Sequence, residues 1–429
     1  MEASFEMDRA FEMATSTIRF GPGITHEVGM DLSEWGMKRV LVITDPVISQ
    51  LAPIEITCDS LTRESIEFEV FDQVRVEPSD TSMMEAIRVA QEGQFDAFVA
   101  VGGGSSIDTA KVANLFSCYP ADLLTYVNAP LGQGKPIPGP LKPLIAVPTT
   151  AGTGSETTGV AIFDLTQMRA KTGIAHRRLK PTLGIVDPDN TRTMPPAVAA
   201  STGLDVLCHA AESYTAIPYD SRPHPEKPVL RPAYQGSNPI SDIWSEQAIK
   251  LVARYLVRAT DSPDDDEARM HMLLASTYAG MGFGNAGVHL CHGMSYPVSS
   301  RVPDFHPPGY PDDHAFVPHG ISVVLNAPAV FRFTAPACPA RHLRIAQLLG
   351  AEADDSQLDE AGLILADRLV QFMQILGLPN GLEQLGFTDQ DADALAEGTL
   401  PQHRVTKLSP RSATKEDLVQ LFENSMQLW

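Results

Sequence analysis

A chain of 429 residues with 53 acidic and 32 basic side chains carries a formal charge of −21, and 43% of it is apolar. That balance argues against non-specific binding to nucleic acid or to an anionic membrane surface, both of which call for a basic patch, and no apolar run approaches the roughly 18 residues that cross a bilayer. At roughly 100–200 residues per domain, the length predicts two or three domains with cores of their own.

The start is acidic and matches neither the basic-then-apolar profile of a secretory signal nor the Arg-rich profile of a transit peptide, so the expected location is cytoplasmic. Along the first half, short β-branched runs alternate with helical patterns. Strands are predicted at 39–44, ending at Asp45, and at 65–71, 95–101, 143–148 and 182–186; helices are predicted at 83–92 and 106–116. Strands alternating with helices at this spacing imply a mainly parallel, doubly wound sheet, that is, an α/β domain over 1–200.

After about Ala200 the pattern shifts to 3.6-residue periodicity, with helices predicted at 268–279, 341–349 and 363–376, the last followed by Gly377 and Pro379 as a stop signal. A helical domain over 201–429 is expected. Two proline-rich segments, 217–239 and 302–318, interrupt it and read as ordered excursions, with linker-like disorder the alternative. The five cysteines form an odd, scattered set without a CxxC pair, as reduced thiols do.

Three constellations carry chemistry. In the first, the strand ending at Val101 enters Gly102, Gly103 and Gly104, and Ser105 with Asp108 reads as a capping box opening a helix. Glycines admit a diphosphate close to the backbone, and a new helix offers free N–H groups and a positive dipole end. The order departs from the usual GxGxxG fingerprint, because the acidic strand-end residue, Asp45, precedes the glycines. Asp45 is suited to accept hydrogen bonds from an adenosine ribose, which favours NAD over NADP. An ordinary strand-to-helix turn is the bland alternative. The second constellation is 148–158, rich in Thr, Ser and Gly at the carboxyl end of an apolar strand, where ligands of open α/β sheets bind; an ordinary Ser/Thr-rich turn is its alternative.

The third places Asp205 and His209 four residues apart on one helical face, with His292 and His319 later in the chain. One carboxylate and three imidazoles, with no thiolate, suit Fe(II), Zn(II) or Mn(II) with a position open to substrate. Twelve histidines leave other choices open: His289, His306 and His314 crowd the ligand candidates, while His26, His271, His342 and His403 read as solvated or capping.

Together these segments resemble the iron-containing (group III) alcohol dehydrogenase superfamily. Residues 102–111 look like its GGGSxxDxxK motif, 148–156 read PTTAGTGSE, and Asp205, His209, His292 and His319 fall where its metal ligands lie. Within it the chain is most similar to the hydroxyacid-oxoacid transhydrogenase branch, on the strength of 11–14, 74–78, 231–244, 282–297 and 404–408. The resemblance implies a Rossmann-like NAD domain followed by an all-helical metal domain. It places the pyrophosphate at the glycine turn and Thr149, Thr150, Thr153 and Lys171 around the cofactor. The implied reaction passes hydride from 4-hydroxybutyrate to 2-oxoglutarate through retained NAD, giving succinate semialdehyde and 2-hydroxyglutarate.

Both substrates are carboxylates, so a net-acidic chain needs local cations; Arg177, Lys180 and Arg231 are the candidates. One departure stands out. Many alcohol-oxidising relatives carry a second histidine four residues after the third ligand, where this chain has Tyr296, which leaves the proton relay open. The rival readings are an NAD-dependent alcohol or hydroxyacid dehydrogenase that releases NADH and, from another class, a metal-dependent hydrolase. A homodimer is expected on base rates alone.

Overall fold

The computed structural model describes residues 7–168, 170–310 and 314–429. It divides into two compact units: Thr15–Pro195 with Ser262–Gly280, and Met1–Ala14 with Pro196–Asp261 and Met281–Trp429. The units are therefore not made by one cut in the chain.

The first unit is built on β1 (Thr17–Phe20), α1 (Val28–Glu34), β2 (Arg39–Ile43), α2 (Ala52–Arg63), β3 (Glu67–Phe71), α3 (Asp80–Glu92), β4 (Ala97–Gly102), α4 (Gly104–Cys118), β5 (Leu144–Pro148), β6 (Val160–Leu165), β7 (Ala170–Ala175) and β8 (Leu183–Val186). Six strands form a sheet in the order β1-β8-β5-β4-β2-β3, every neighbouring pair parallel. All residues of β4 and β5 are buried. Central strands covered on both faces need such unbroken apolar runs, which is why the sequence exposes them plainly.

Pairing of Gly102 with Pro148 brings the ends of β4 and β5 level, so the glycine turn and the 149–154 segment leave the sheet side by side. The edge strand β1 and the antiparallel β6/β7 hairpin were not among the expected elements. The edge strand TIRF buries none of its four residues, and so carries no apolar run to betray it.

The expected capping box is corrected. The helix α4 begins at Gly104 with Gly103 as N-cap and no side-chain cap. Ser105 therefore already sits in the first turn, and Asp108 has other partners, described below.

The second unit contains α5 (Pro196–Thr215), α6 (Pro239–Asp261), the end of α7 (Asp266–Ala286), α8 (Leu290–Arg301), α9 (His319–Val324), α10 (Ala327–Thr334), α11 (Pro339–Leu348), α12 (Ala361–Ile375), α13 (Ala392–Thr399), α14 (His403–Thr406) and α15 (Lys415–Met426). The signals at the end of α12 act as expected: Gly377 takes φ 68°, and Leu378 N–H returns to Met373 O at 2.9 Å, a helix-terminating pattern that favours glycine.

The 217–239 excursion is ordered. Pro218 bridges to Ser237, and Gln235 exchanges hydrogen bonds with the Glu12 backbone at 2.9 and 2.8 Å. In 302–318, residues 311–313 lie outside the described residues; Phe316 N–H bonds Phe305 O at 2.9 Å. Among the described residues no helix is long and apolar enough to cross a membrane, and all five cysteines are free thiols.

Candidate metal centre and nucleotide turn

The long helix α5 is buried on almost every side, and within it Asp205 and His209 share one face as their four-residue spacing requires. Two further elements bring in histidines. His292 lies in the first turn of α8, and His319 opens α9. A Cβ at Gly320 would collide with the carbonyl of Ser201 and come within 3.1 Å of the Asp205 Cβ. Glycine there lets α9 approach α5 closely enough to set His319 beside Asp205.

One ligand atom from each of Asp205, His209, His292 and His319 lies within 4.8 Å of all the others. Asp205 Oδ1 is 3.6 Å from His292 Nε2 and 4.0 Å from His319 Nε2, and Asp205 Oδ2 is 3.7 Å from His209 Nδ1. These distances are too long for hydrogen bonds, but they approach the ~3.4 Å spacing of tetrahedral ligands with bonds of ~2.1 Å. Asp205 Oδ1, His209 Nδ1 and His292 Nε2 are all buried without a hydrogen-bond partner. Buried polar atoms are normally satisfied, so this convergence of orphaned donors and acceptors fits a divalent cation. The four sequence-predicted ligands are thus brought together.

The protonation energetics agree. Burial holds the His209 ring down to about 3, which keeps it neutral and able to ligate. Burial also pushes Asp205 up, but the three nearby imidazoles outweigh it and bring the carboxyl down to about 2.

Behind the ligands stands a residue that the motif reading missed. Glu212, fully buried and one turn beyond His209, accepts the ring Nδ1–H of His292 and the backbone N–H groups of Cys291 (2.7 Å) and His289 (3.1 Å). Burial opposes its charge, yet the His289 and His292 rings hold it at about 2. A carboxylate on Nδ1 fixes the tautomer that presents Nε2 to the cluster. Against burial, Glu212 and Asp205 raise His292 to about 9, and an environment that favours a proton there favours a metal cation in its place. The spacing of Asp205, His209 and Glu212, four and then three residues, was the available signal.

Two of the competing histidines find other work. His289 N-caps α8, accepting from Leu290 N–H at 2.8 Å, and its Nε2 lies 2.9 Å from Thr215 Oγ1. His306, exposed, pairs with Asp304. His342 corrects the solvated reading: it is fully buried, with its ring between Thr334 Oγ1 (2.8 Å) and Cys338 O (3.0 Å). Phe283 lies flat on His209, ring centroids 4.0 Å apart at 6°.

In the sheet unit the two glycine-rich segments interlock. A Cβ at Gly102 would strike Ser106, and one at Gly104 would sit 2.6 Å from Thr153 Cγ2. Thr149 N–H bonds Gly102 O at 3.1 Å, while Thr149 Oγ1 is buried without a partner. Asp45 Oδ1 accepts from Val47 (2.9 Å) and Ile48 (3.0 Å) N–H, and no hydrogen bond reaches Oδ2 among the described residues. An uncapped helix start, an orphaned threonine hydroxyl and a spare carboxylate oxygen fit a dinucleotide.

Other members of the expected cofactor set have protein partners. Asp108 accepts from Ser155 Oγ (2.6 Å) and Ile162 N–H (2.8 Å), and the buried Lys111 donates to Ser155 Oγ (2.6 Å), Val160 O (2.8 Å) and Thr158 Oγ1 (3.3 Å). This polar knot ties α4 to the 155–160 segment. Ser105 Oγ accepts from Glu77 N–H at 3.3 Å, Thr153 Oγ1 accepts from Ser155 N–H at 3.2 Å, and Thr150 packs at Gly103. Lys171 Nζ, almost fully buried, pairs with Glu77 (2.6 Å) and Asp164 (3.3 Å); burial lowers its pKa, but those two carboxylates reverse the shift and raise it.

Of the substrate-anchor candidates, Arg177 is partly buried in a short 3-10 turn and Lys180 caps that turn. Arg231 forks onto Asp8 at 2.9 and 3.0 Å.

Comparison with known proteins bears on both units. Residues 15–188 match the family model of iron-containing alcohol dehydrogenase, and residues 233–426 match that of the C-terminal part of the Fe-containing alcohol dehydrogenase family. The chain belongs to the iron-containing alcohol dehydrogenase family. Among its relatives, the hydroxyacid-oxoacid transhydrogenase, mitochondrial, of Xenopus laevis is 57% identical over 98% of this chain and 92% of its own length. That of Bos taurus is 59% identical over 98% and 91%.

Among solved iron-containing alcohol dehydrogenase folds, a 1,3-propanediol oxidoreductase matches with a TM-score of 0.84 at 28% identity, over 97% of this chain and 100% of its own. The sulfoacetaldehyde reductase of Bifidobacterium kashiwanohense in complex with NAD+ matches with 0.79 at 25%, over 98% and 99%. The α/β-plus-helical fold class stands, and the chain is an oxidoreductase. The cytoplasmic expectation is corrected: relatives 57–59% identical to this chain are named mitochondrial. The expectation rested on the chemistry of the first few residues, which does not report where the folded enzyme works.

Proposed function

We propose that this family member is a hydroxyacid-oxoacid transhydrogenase taking 4-hydroxybutyrate to succinate semialdehyde while reducing 2-oxoglutarate to 2-hydroxyglutarate through one retained NAD. The observation that carries the reading is the Asp205/His209/His292/His319 cluster, three of its members buried, in a chain 57–59% identical, over 98% of its length, to proteins named for that activity.

When bound, the metal supplies Lewis acidity at a substrate oxygen and NAD supplies the hydride acceptor and donor. The chain does the rest. Asp205, His209, His292 and His319 hold the metal, Glu212 fixes the His292 ring, and Phe283 walls His209 with an apolar face that limits water. Gly102, Gly103, Gly104, Thr149, Thr150 and Thr153 hold the dinucleotide, with Asp45 at the ribose. Asp108 and Lys111 act indirectly, by locking the 155–160 segment to α4. Lys171 stands near the same loops, tied to Glu77 and Asp164.

In this assignment the sheet unit carries the cofactor and the helical unit the metal. Arg177 and Lys180 are proposed substrate-carboxylate anchors; Arg231, whose fork Asp8 fills, is the weakest of the three. Fe(II) is the proposed metal, on the family's name and the thiolate-free ligand set, with Zn(II) the competitor for the same ligands. Elemental analysis after anaerobic purification, with activity after metal exchange, decides between them; light scattering decides whether the protein is a homodimer.

The test of function supplies 4-hydroxybutyrate and 2-oxoglutarate to gel-filtered protein without added nucleotide. Both products are expected in equal amounts. Product that forms only in step with added free NAD leaves instead a dehydrogenase that releases NADH, the reading favoured by the alcohol dehydrogenase neighbours in the fold comparison.

A further inference from the structure

The metal-bearing unit holds a cation that the mechanism does not use. Arg404, in the short helix α14, donates from Nη2 to Tyr296 Oη at 2.8 Å, and its guanidinium carbon lies 5.0 Å over the ring of Tyr234. Its Nη1 is buried and has no hydrogen-bond partner. Among the described residues no carboxylate pairs with it, although acidic side chains outnumber basic ones by 53 to 32. Burial works against its charge, and the neighbours that favour it are phenols, not anions.

Its position ties this cation to the metal ligands by two routes. Tyr296 sits one turn after His292 on α8, and a Cβ at Gly293 would come within 2.9 Å of Thr406 Cγ2, so α14 packs against the turn that carries the ligand. Tyr234 in turn meets Phe283 edge to face at 6.4 Å, and Phe283 stacks on His209. A guanidinium flanked by two phenols, with no carboxylate partner among the described residues, one nitrogen without a hydrogen bond and part of the side chain exposed, has the donor geometry for a planar anion.

We infer that Arg404, held by Tyr296, binds the substrate carboxylate distal to the reacting carbon, and so selects hydroxyacids and oxoacids over neutral alcohols. Three other arginines of this unit already have carboxylate partners: Arg222 and Arg231 both pair with Asp8, and Arg341 with Asp242. The inference rests on the reading of the substrates as carboxylates. It gives to Arg404 the anchoring role first proposed for Arg177 and Lys180.

The test compares wild-type protein with Arg404→Gln, Arg404→Lys and Tyr296→Phe in the metal-loaded form. Arg404→Gln is expected to lower the ratio of kcat/KM for 4-hydroxybutyrate to that for 1-butanol at least 30-fold, mainly through KM. Tyr296→Phe, which frees the guanidinium without removing it, should lower the ratio about threefold to tenfold. Calorimetric binding of glutarate reads the same site without turnover; it should weaken at least tenfold in Arg404→Gln and by less in Arg404→Lys, which keeps the charge but not the planar fork. Glutarate binding equally tight in wild type and Arg404→Gln, or equal losses on the acid and on butanol, overturns the inference. Failure of the wild type to interconvert the two acids, with glutarate binding still dependent on Arg404, overturns the transhydrogenase reading and leaves the carboxylate site standing.

Discussion

Glu212 receives the Nδ1–H of His292 and, with its other oxygen, the backbone N–H groups of Cys291 and His289. One buried carboxylate thereby sets both the rotation of a proposed metal ligand and the start of the helix that carries it. Because Nδ1 donates to Glu212, Nε2 is left as the lone-pair atom facing Asp205.

Glu212→Gln separates these roles. The amide oxygen can still accept from the two backbone groups, but the side chain no longer offers a charged acceptor to the ring, and the His292 tautomer loses its anchor. Metal affinity is expected to fall about 10- to 100-fold, measured by competition against a chelator of known affinity. Glu212→Ala should in addition cost stability, about 1–3 kcal/mol for the buried N–H groups left unpaired. An unchanged chelator competition in Glu212→Gln would remove Glu212 from the site.

The metal itself should stabilise the fold, since the ligand atoms of Asp205, His209 and His292 are buried and unsatisfied without it. For metal at 100 times its Kd, the gain is about 2.7 kcal/mol, seen as a rise in Tm when Fe(II) or Zn(II) is restored to stripped protein. Asp205→Asn keeps the shape but removes the charge that attracts the cation, and its Tm should be insensitive to added metal at the same concentration. A wild-type Tm that does not respond to metal would count against the site.

Much of this was legible in advance because it rests on local patterns. The central strands β4 and β5 are apolar throughout, since a parallel sheet covered on both faces allows nothing else. Asp205 and His209 announce themselves by helical spacing. The edge strand β1 carries no such pattern, and its place is set by β8, distant in sequence; in the hairpin β6 reads VAIFDL and was legible, while β7, AKTGIA, was not. Likewise the partners of Asp108 are set by tertiary packing: the residue looks like a cap from its spacing with Ser105, yet its carboxylate reaches Ser155 and Ile162, 47 and 54 positions away. Glu212 lay in plain view on the same helical face as two predicted ligands. Arg404 could not be found by spacing, because it meets Tyr296 across 108 residues.

The Lys111 knot should be a matter of stability first. Burial pushes the lysine pKa down, opposed chiefly by Asp108, so the charged form depends on its partners. Lys111→Met retains most of the volume but leaves the Asp108 carboxylate and the Ser155 and Thr158 hydroxyls without their donor. Breaking a buried pair from one side costs about 3–5 kcal/mol, and the lower end is expected here because Asp108 keeps Ser155 Oγ and Ile162 N–H. Denaturant titration reads the loss. The double variant Lys111→Met/Asp108→Asn should be less destabilised than the sum of the single changes, and strict additivity would mean that the two residues do not act as a pair.

Asp45 offers the sharpest check on the nucleotide. Its Oδ1 is engaged by Val47 and Ile48, and Oδ2 stands near Gly102, within 3.6 Å of where a Cβ would project from that glycine. A carboxylate at this place accepts from ribose hydroxyls and repels a 2′-phosphate. Asp45→Ser keeps a hydrogen-bonding group and removes the repulsion, at the cost of one acceptor for NAD. A charge-assisted hydrogen bond contributes about 1.5–3 kcal/mol, and a tenfold change corresponds to about 1.4 kcal/mol. The variant should therefore bind NAD about 10-fold or more weakly while its affinity for NADP is maintained or improved, as read by quenching of protein fluorescence with each nucleotide. An NAD-to-NADP preference identical in wild type and Asp45→Ser would mean that Asp45 does not face the ribose, and the selectivity would then have to come from the loops after β4 and β5.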